Sequence, residues 1–142
     1  MISKKILIFG LPGSGKTTLA KALAPRLNAV HFNADGVRKY LYNDKLGFSL
    51  EDRLTQASRM AWLCDQVVIA SHYAVADFVC PNIATREAFG DCYSIFMDRI
   101  KVSRFNDTNQ IFEPPDVYDL KISSGLTLEE EIELALSHIL PG

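Results

Sequence analysis

Short apolar runs alternate along the chain with stretches of helical periodicity, and this alternation is typical of a parallel α/β sheet. The first run is apolar without interruption from Ile6 to Phe9, which predicts a strand buried on both faces. The pattern predicts five strands, at residues 4–9, 30–32, 74–79, 92–97 and 118–122.

Helices are predicted between these strands. One begins at Gly15, and because Pro25 lacks the amide that a helix interior needs, we expect a kink or a restart near Ala24. Residues 51–72 carry apolar side chains at helical spacing, although the apolar run at 67–69 alone would suit a strand. Residues 35–42 and 84–89 are also predicted to be helical, and residues 98–115 to be irregular and polar.

The last helix has a recognisable beginning. Thr127 is predicted to cap it, with Glu130 completing a capping box. The buried stripe of this helix is predicted to consist of Leu128, Ile132, Ala135 and Ile139.

Composition limits the partners of the chain. Its 142 residues, 48% of them hydrophobic, fit one domain over 1–142, and the formal net charge is −2. No basic block suggests a nucleic-acid partner, and no apolar run has membrane-spanning length. The apolar run after Lys5 is too short for a signal peptide and leads into a glycine motif, so we expect a cytoplasmic protein. The odd set of cysteines, Cys64, Cys80 and Cys92, predicts buried or half-buried thiols rather than disulfides or a zinc site.

A phosphate-binding motif follows the first strand. Residues 10–17 match the pattern G-x-x-x-x-G-K-[ST] at every fixed position. Glycines allow the backbone to wrap around a phosphate, and the helix that follows presents free amides to it. Lys16 is predicted to reach the β- and γ-phosphates, and Thr17 to place its hydroxyl on Mg²⁺. The predicted phosphate-binding residues are Gly10, Leu11, Pro12, Gly13, Ser14, Gly15, Lys16, Thr17 and Thr18.

This motif is shared by switch GTPases, ATPases and kinases. The chain contains no Asn/Thr-Lys-x-Asp segment of the type that binds guanine, so ATP is the predicted nucleotide. The short chain favours a kinase over a motor or a pump.

A second group of polar residues follows the second strand. At the end of a parallel strand, Asp35 is placed to orient an acceptor hydroxyl and take its proton. It would equally suit a helix N-cap. Arg38 lies one turn further on and could bind a substrate anion, or could simply occupy a solvated helix face.

The order of these motifs resembles the adenylylsulfate kinase family, which phosphorylates the 3′-hydroxyl of adenosine 5′-phosphosulfate. That family runs P-loop, Asp-Gly-Asp-x-x-Arg, Leu-Gly-Phe-Ser and Asp-Arg. The chain has counterparts at 10–18, 35–38, 46–49 and 51–53, and looser ones at 79–82, 86 and 112–115. The resemblance implies that Asp35 acts at the acceptor hydroxyl, that Arg38 and Arg53 bind the acceptor's phosphate-like group, and that Phe48 stacks on its base. It also places Arg86 near the acceptor side.

The chain departs from the family pattern at several positions. Asn33 replaces the first Asp of Asp-Gly-Asp, and Gln56, Ser58 and Arg59 replace an Asn and two Arg. Asp77 stands where the family commonly has Ser, and we predict that it holds Mg²⁺ through water. The lid, at about residues 99–112, is shortened; Arg99, Lys101 and Arg104 are its candidates for neutralising phosphate, or else solvated charges. His31, His72 and His138 form no ligand pattern and are predicted to be structural.

Together these features predict a three-layer α/β P-loop kinase fold, nucleotide kinase-like, with a five-stranded parallel sheet. The predicted function is a kinase that uses ATP and Mg²⁺ and resembles adenylylsulfate kinase, with adenosine 5′-phosphosulfate as the first-choice anionic acceptor. A kinase for another nucleotide- or sugar-like anion and a non-catalytic nucleotide-binding switch remain alternatives. We expect no nucleic-acid or membrane partner, and we allow for a homodimer.

Overall fold

The sheet is parallel throughout and has the strand order β2-β3-β1-β4-β5. The computed structural model describes residues 2–43 and 45–140. Its strands are β1 Lys5–Phe9, β2 Val30–Asn33, β3 Ala74–Phe78, β4 Tyr93–Asp98 and β5 Leu120–Ser123. Its helices are α1 Lys16–Leu27, α2 Ala34–Tyr42, α3 Leu50–Ile69, α4 Ile83–Phe89, α5 Asn106–Ile111 and α6 Leu128–Ile139.

Helices cover both faces of the sheet, as predicted. In β1, Ile6 and Ile8 pack into one core with α1 and α6, whereas Leu7 and Phe9 pack into a second core with α3. Because side chains alternate across a strand, a strand between two helical layers is expected to be apolar at nearly every position. The continuous apolar run of β1 therefore reflects its central place in a three-layer sandwich.

The sheet order fixes where ligands can bind. β1 lies between β3 and β4, so the chain after β1 leaves the sheet at its centre. In open α/β sheets, the crevice at the carboxyl ends of such strands is the usual ligand site. The loops after β1, β2, β3 and β4 meet at that edge. Within the described residues, no helix combines the length and the apolar character needed to cross a membrane.

The helices differ from the sequence prediction at α1, at α3 and at α5. α1 continues through Pro25 to Leu27 without a restart at Ala24, because a proline two residues from the end removes only one helical hydrogen bond. α3 stops at Ile69, and the amides of Ala70 and Ser71 close its last turn.

α5 was not expected, because its segment is polar and has no apolar period. Tertiary contacts hold it: Thr108 is buried and its Oγ1 accepts a hydrogen bond from Arg53 Nη2 at 3.1 Å. In α6 the capping box of Thr127 and Glu130 is confirmed. The buried stripe is only partly correct, because Leu128 is exposed and Glu131 is buried in its place.

Candidate active site

The P-loop joins β1 to α1 and forms the floor of a large cavity. Gly15, which precedes α1, has φ +92°, and a Cβ there would lie 2.6 Å from Arg99 Nη1, so the position requires glycine. No side chain caps α1, so the amides of its first turn face the loop unpaired by any cap. A helix end of this kind is an anion-binding site.

The cavity has a volume of about 1080 Å³, which is on the large side for a single small ligand. Of the predicted phosphate-binding residues, Pro12, Gly13, Lys16 and Thr17 line it, and Thr18 is exposed outside it. Leu11 and Ser14 are buried beneath the loop, and Ser14 Oγ has no hydrogen-bond partner.

Lys16 is buried at the centre of the loop. Its Nζ donates to the carbonyl oxygen of Leu11 at 2.9 Å. Burial lowers the pKa of Lys16 to about 8, while the nearby carboxylates of Asp77 and Asp35 act in the opposite direction. Because burial destabilises the charged form of this amine, a phosphate anion that approaches it stabilises the ammonium group strongly.

Thr17 and Asp77 meet beside the P-loop, as a shared metal site requires. Thr17 Oγ1 donates to Asp77 Oδ1 at 2.8 Å, and Asn33 Nδ2 donates to the same carboxylate oxygen at 3.1 Å. Asp77 is 1% exposed, and its Oδ2 is bonded to His31 Nε2. Asn33 and Asp77 are also paired in register between β2 and β3, which explains why they touch.

This group of residues suits Mg²⁺ better than it suits a transition metal. Among residues 2–43 and 45–140, no cluster of three or more His, Cys, Asp or Glu side chains is arranged to hold a metal. Mg²⁺ characteristically takes one or two protein oxygens and fills its shell with water and phosphate. Because the Thr17 proton points to Asp77, a lone pair of Thr17 Oγ1 is left for a cation. The chemistry of the donors therefore fits the predicted ion.

Asp35 projects into the cavity from the first turn of α2. Its side chain is 90% exposed, and its Oδ1 lies 3.9 Å from Arg38 Nη1. The N-cap of α2 is Asn33, whose Oδ1 accepts from the Gly36 amide at 3.1 Å. The alternative role of Asp35 as a helix cap is therefore wrong, and its carboxylate is available to a ligand.

Phe48, Arg38 and Arg53 form one group on the acceptor side of the cavity. The guanidinium carbons lie 4.3 Å (Arg38) and 5.5 Å (Arg53) from the centroid of the Phe48 ring. Arg53 Nε donates to the Phe48 carbonyl oxygen at 3.0 Å, and its Nη2 donates to Thr108. Burial lowers the pKa of both arginines, and Arg38 lowers that of Arg53 further.

These two arginines are poorly neutralised. Within the described part of the chain, Arg53 has no carboxylate within ion-pair distance, and Arg38 has only the long contact to Asp35. Arg38 Nε is buried without a hydrogen-bond partner. Gln56, 1% exposed, donates to the Ala34 carbonyl, but its Oε1 is unpartnered and the residue lines the same cavity. Two poorly neutralised cations and a free acceptor indicate a ligand with an anion and a hydrogen-bond donor.

The three candidate cations of the lid have different surroundings. Lys101 is paired with Asp98 at 2.9 Å, and Arg99 Nε lies 3.3 Å from the buried Glu131 carboxylate. Desolvation raises the pKa of Glu131, and Arg99 partly offsets this effect. Arg104 lines the cavity and is stacked on Phe105, with no carboxylate in ion-pair range within the described residues.

Arg86 is not brought into the cavity, so its predicted contact with the acceptor is not supported. Its Nε donates to Cys80 O at 3.1 Å and its Nη2 to Glu113 O at 2.6 Å, while the guanidinium packs on Phe9 and Phe112. Through these bonds the Arg86 guanidinium connects α4 to the segment before β5. Sequence order placed it near the acceptor, but the backbone carbonyls that it binds could not be foreseen.

The cysteines agree with the prediction of buried or half-buried thiols, because Cys64 and Cys80 are buried and Cys92 is half-buried. Burial raises the pKa of Cys64, Cys80 and Cys92 to about 12, although Cys80 lines the cavity. His31, which we predicted to be structural, is bonded to Asp77 beside the P-loop, a contact that the sequence did not predict. No spacing pattern in the sequence links the two residues, and only the pairing of β2 with β3 brings His31 to Asp77.

Comparisons with known proteins point to one family. The family model described as Adenylylsulphate kinase matches residues 2–122. No curated protein sequence matches the chain significantly. The chain is similar in fold to the Mycobacterium tuberculosis APS kinase CysC, solved in complex with AMPPNP and APS, with 19% identity and a TM-score of 0.86. The alignment covers 97% of this chain and 98% of that one.

Two other structures show the range of the likeness. A hexameric APS kinase from Thiobacillus denitrificans is 26% identical with a TM-score of 0.76, and the alignment covers 95% of this chain but only 28% of that chain. A sugar kinase from Janibacter sp. HTCC2649 is 17% identical with a TM-score of 0.78, covering 96% of this chain and 94% of that one. At such low identities, the structural similarities establish only a P-loop kinase fold. The family model identifies the family within that fold. Because that model spans most of the chain, from before β1 into β5, the protein belongs to the adenylylsulfate kinase family of ATP-dependent phosphotransferases.

Proposed function

We propose that this protein transfers the γ-phosphoryl group of Mg²⁺-bound ATP to a hydroxyl of an anionic, nucleotide-like acceptor, with adenosine 5′-phosphosulfate as the first choice. The observation that carries the proposal is the group of Phe48, Arg38 and Arg53 beside the P-loop. An exposed aromatic ring next to two under-neutralised cations suits a molecule with both a planar base and a phosphate-like charge.

The nucleotide half of the site supplies charge and orientation. The amides at the start of α1 and the ammonium group of Lys16 bind the phosphates and offset the charge that develops on them. Thr17, with Asp77 behind it, would hold Mg²⁺, which would supply positive charge to offset that of the phosphates. Lys16 keeps two of its three protons free for phosphate oxygens after its bond to Leu11.

The acceptor half supplies the base. Asp35 accepts the proton of the acceptor hydroxyl as the new O–P bond forms. At the same time the bond from the γ-phosphorus to the bridging oxygen breaks and ADP leaves with that electron pair. The exposure of Asp35 in the cavity and the capping of α2 by Asn33 leave this carboxylate free for the role. Arg38, one turn away, orients the acceptor anion beside it.

A second acceptor class is a different nucleotide-like or sugar-like anion. The observation that favours it is Gln56, whose buried Oε1 has no partner and whose position departs from the family pattern described above. A missing partner for a buried polar group costs roughly 1–3 kcal/mol, which is one to two decades of affinity. A change of acceptor would follow if adenosine 5′-phosphosulfate cannot satisfy this oxygen.

The test is ADP release by purified protein with Mg²⁺-ATP, with and without adenosine 5′-phosphosulfate, together with detection of the phosphorylated product. We expect release that depends on the acceptor, and its loss in Asp35→Asn. Release without any acceptor would favour a nucleotide switch. Release only with another anionic hydroxyl compound would retain the kinase and reject the first-choice acceptor. Absence of ATP binding would contradict the proposal altogether.

A further inference from the structure

The carboxylate of Asp77 is held from three directions. Its Oδ1 accepts from Thr17 Oγ1 at 2.8 Å and from Asn33 Nδ2 at 3.1 Å, and its Oδ2 is bonded to His31 Nε2. An ionised carboxylate only accepts hydrogen bonds, so His31 Nε2 is the donor when Asp77 is ionised. The group is therefore fixed in rotation by donors on both oxygens.

Asn33 cannot replace His31 in this role. Its Oδ1 accepts from the Gly36 amide at 3.1 Å, and this cap determines which end of its side-chain amide faces inwards. The inward-facing Nδ2 contacts both Asp77 Oδ1 and Thr17 Oγ1, at 3.1 and 3.2 Å. Asn33 thus steadies the oxygen next to Thr17, and His31 is the donor that fixes the opposite oxygen.

We propose that His31 is a positioning residue for the cation site. It holds Asp77 so that Oδ1 accepts the hydrogen bond from Thr17 Oγ1, and this bond directs a lone pair of the Thr17 oxygen to Mg²⁺. The inference rests on the proposed function, in which Thr17 and Asp77 hold that ion. Partners behind metal-site groups commonly change metal affinity by about 10- to 100-fold when they are removed.

The register between the strands adds a second expectation. Asn33 and Asp77 face each other across β2 and β3, and both contact Thr17 Oγ1, so a carboxylate at either position would be adjacent to the same hydroxyl. The double variant Asn33→Asp/Asp77→Ser should therefore recover cation binding that Asp77→Ser loses. In that background the carboxylate no longer lies against His31, so replacing His31 should have little further effect.

The test compares His31→Gln with His31→Asn in the full chain. A Gln amide can reach Asp77 Oδ2 as Nε2 does, whereas an Asn amide is too short. The readout is the Mg²⁺ concentration that gives half of the ATP-induced thermal shift, checked by electron paramagnetic resonance of Mn²⁺ binding in the presence of ATP. We expect about a 10-fold or greater increase in the half-saturating concentration for His31→Asn and little change for His31→Gln. ATP binding in EDTA should be the same in both, and His72→Asn serves as the exposed-histidine control.

Two outcomes separate the inference from the proposed function. If the wild-type protein shows no Mg²⁺-dependent ATP binding, the proposed function fails. If it does, and folded His31→Asn has wild-type half-saturation, the positioning role is overturned. Should His31→Asn not fold, nitrogen-15 NMR of the wild-type imidazole decides: a hydrogen-bonded Nε2 proton supports the inference, and a neutral ring protonated on Nδ1 overturns it.

Discussion

Lys16 Nζ donates to the carbonyl oxygen of Leu11 at 2.9 Å, so the lysine of the P-loop is held in place by the backbone of the same loop. This bond fixes the ammonium group at the floor of the cavity before any nucleotide arrives. Preorganised charge of this kind needs no rearrangement when charge develops in the transition state, which is why it contributes strongly to catalysis.

Replacing this lysine should abolish most turnover. For Lys16→Ala we expect a loss of ~10²-fold or more in kcat, because the charge facing the β- and γ-phosphates is removed. Lys21→Ala, an exposed lysine on the same helix, is the matched control and should be unaffected. Steady-state ADP release measures both, and near-normal turnover in Lys16→Ala would exclude the catalytic role of the loop.

ATP binding should take up a proton at alkaline pH. The pKa of Lys16 is lowered from 10.5 to about 8 in the folded protein, chiefly by burial. Between these values the unfolded chain holds more protons, so the contribution of this group to the free energy of unfolding increases with pH. A bound triphosphate favours the charged amine, so the Kd for ATP should increase by up to about 10-fold per pH unit above pH 8. Calorimetry at pH 9 in two buffers of different ionisation enthalpy would detect the proton, and buffer-independent heats would contradict the assignment.

Asp35 should matter for chemistry and not for folding. Asp35→Asn keeps the shape of a side chain that is 90% exposed but cannot take a hydroxyl proton, so kcat should fall steeply while the melting temperature hardly moves. Asn33→Ala is the contrasting variant, because it removes the N-cap of α2 and should lower the free energy of unfolding by about 1 kcal/mol. If Asp35→Asn stays active, the base lies elsewhere, with Asp77 the next candidate.

Arg38 and Arg86 should separate substrate binding from stability. Arg38→Gln removes a half-buried cation beside Asp35 and Phe48, so the KM for the acceptor should rise by about 10-fold or more, at little change in melting temperature. Arg86→Gln loses its bonds to Cys80 O and Glu113 O and should destabilise the fold by about 2 kcal/mol, with the acceptor KM unchanged. A raised KM in folded Arg86→Gln would restore its predicted contact with the acceptor.

Nucleotide selectivity can be measured without knowing the acceptor. A ligand that binds only the folded protein raises its melting temperature by mass action. We expect a larger Mg²⁺-dependent shift with ATP than with GTP. A larger shift with GTP would contradict the prediction of adenine, which rests on the lack of a guanine-binding segment in the sequence.

The sequence predicted the sheet and the P-loop because both depend on short-range patterns. The burial of β1 on both faces follows from four consecutive apolar residues, and the phosphate loop from a motif of eight. The lid could not be predicted in the same way. α5 has no apolar period, and it is held by Thr108 against Arg53, a contact between positions 55 residues apart.

The two halves of the site differ in the same respect. Family motifs predicted Phe48, Arg38 and Arg53 together, and they do meet. The contact of His31 with Asp77 was not predicted, because one histidine with a partner 46 residues away leaves no spacing pattern in the sequence. The contacts that Arg86 makes were not predicted because its partners are backbone carbonyls, which every residue possesses and no motif records.

Arg99 lies over Gly15, where its Nη1 would have to move aside for a Cβ on residue 15, and Glu131 of α6 holds that arginine at 3.3 Å. Arg99 and Glu131 should therefore change together in evolution. A lineage that lost Arg99 would leave the Glu131 carboxylate buried without its cation, which is a strongly unfavourable intermediate. In an alignment of near relatives we expect Arg99 and Glu131 to appear and disappear together, while Gly15, which also needs its left-handed backbone, stays constant in both groups.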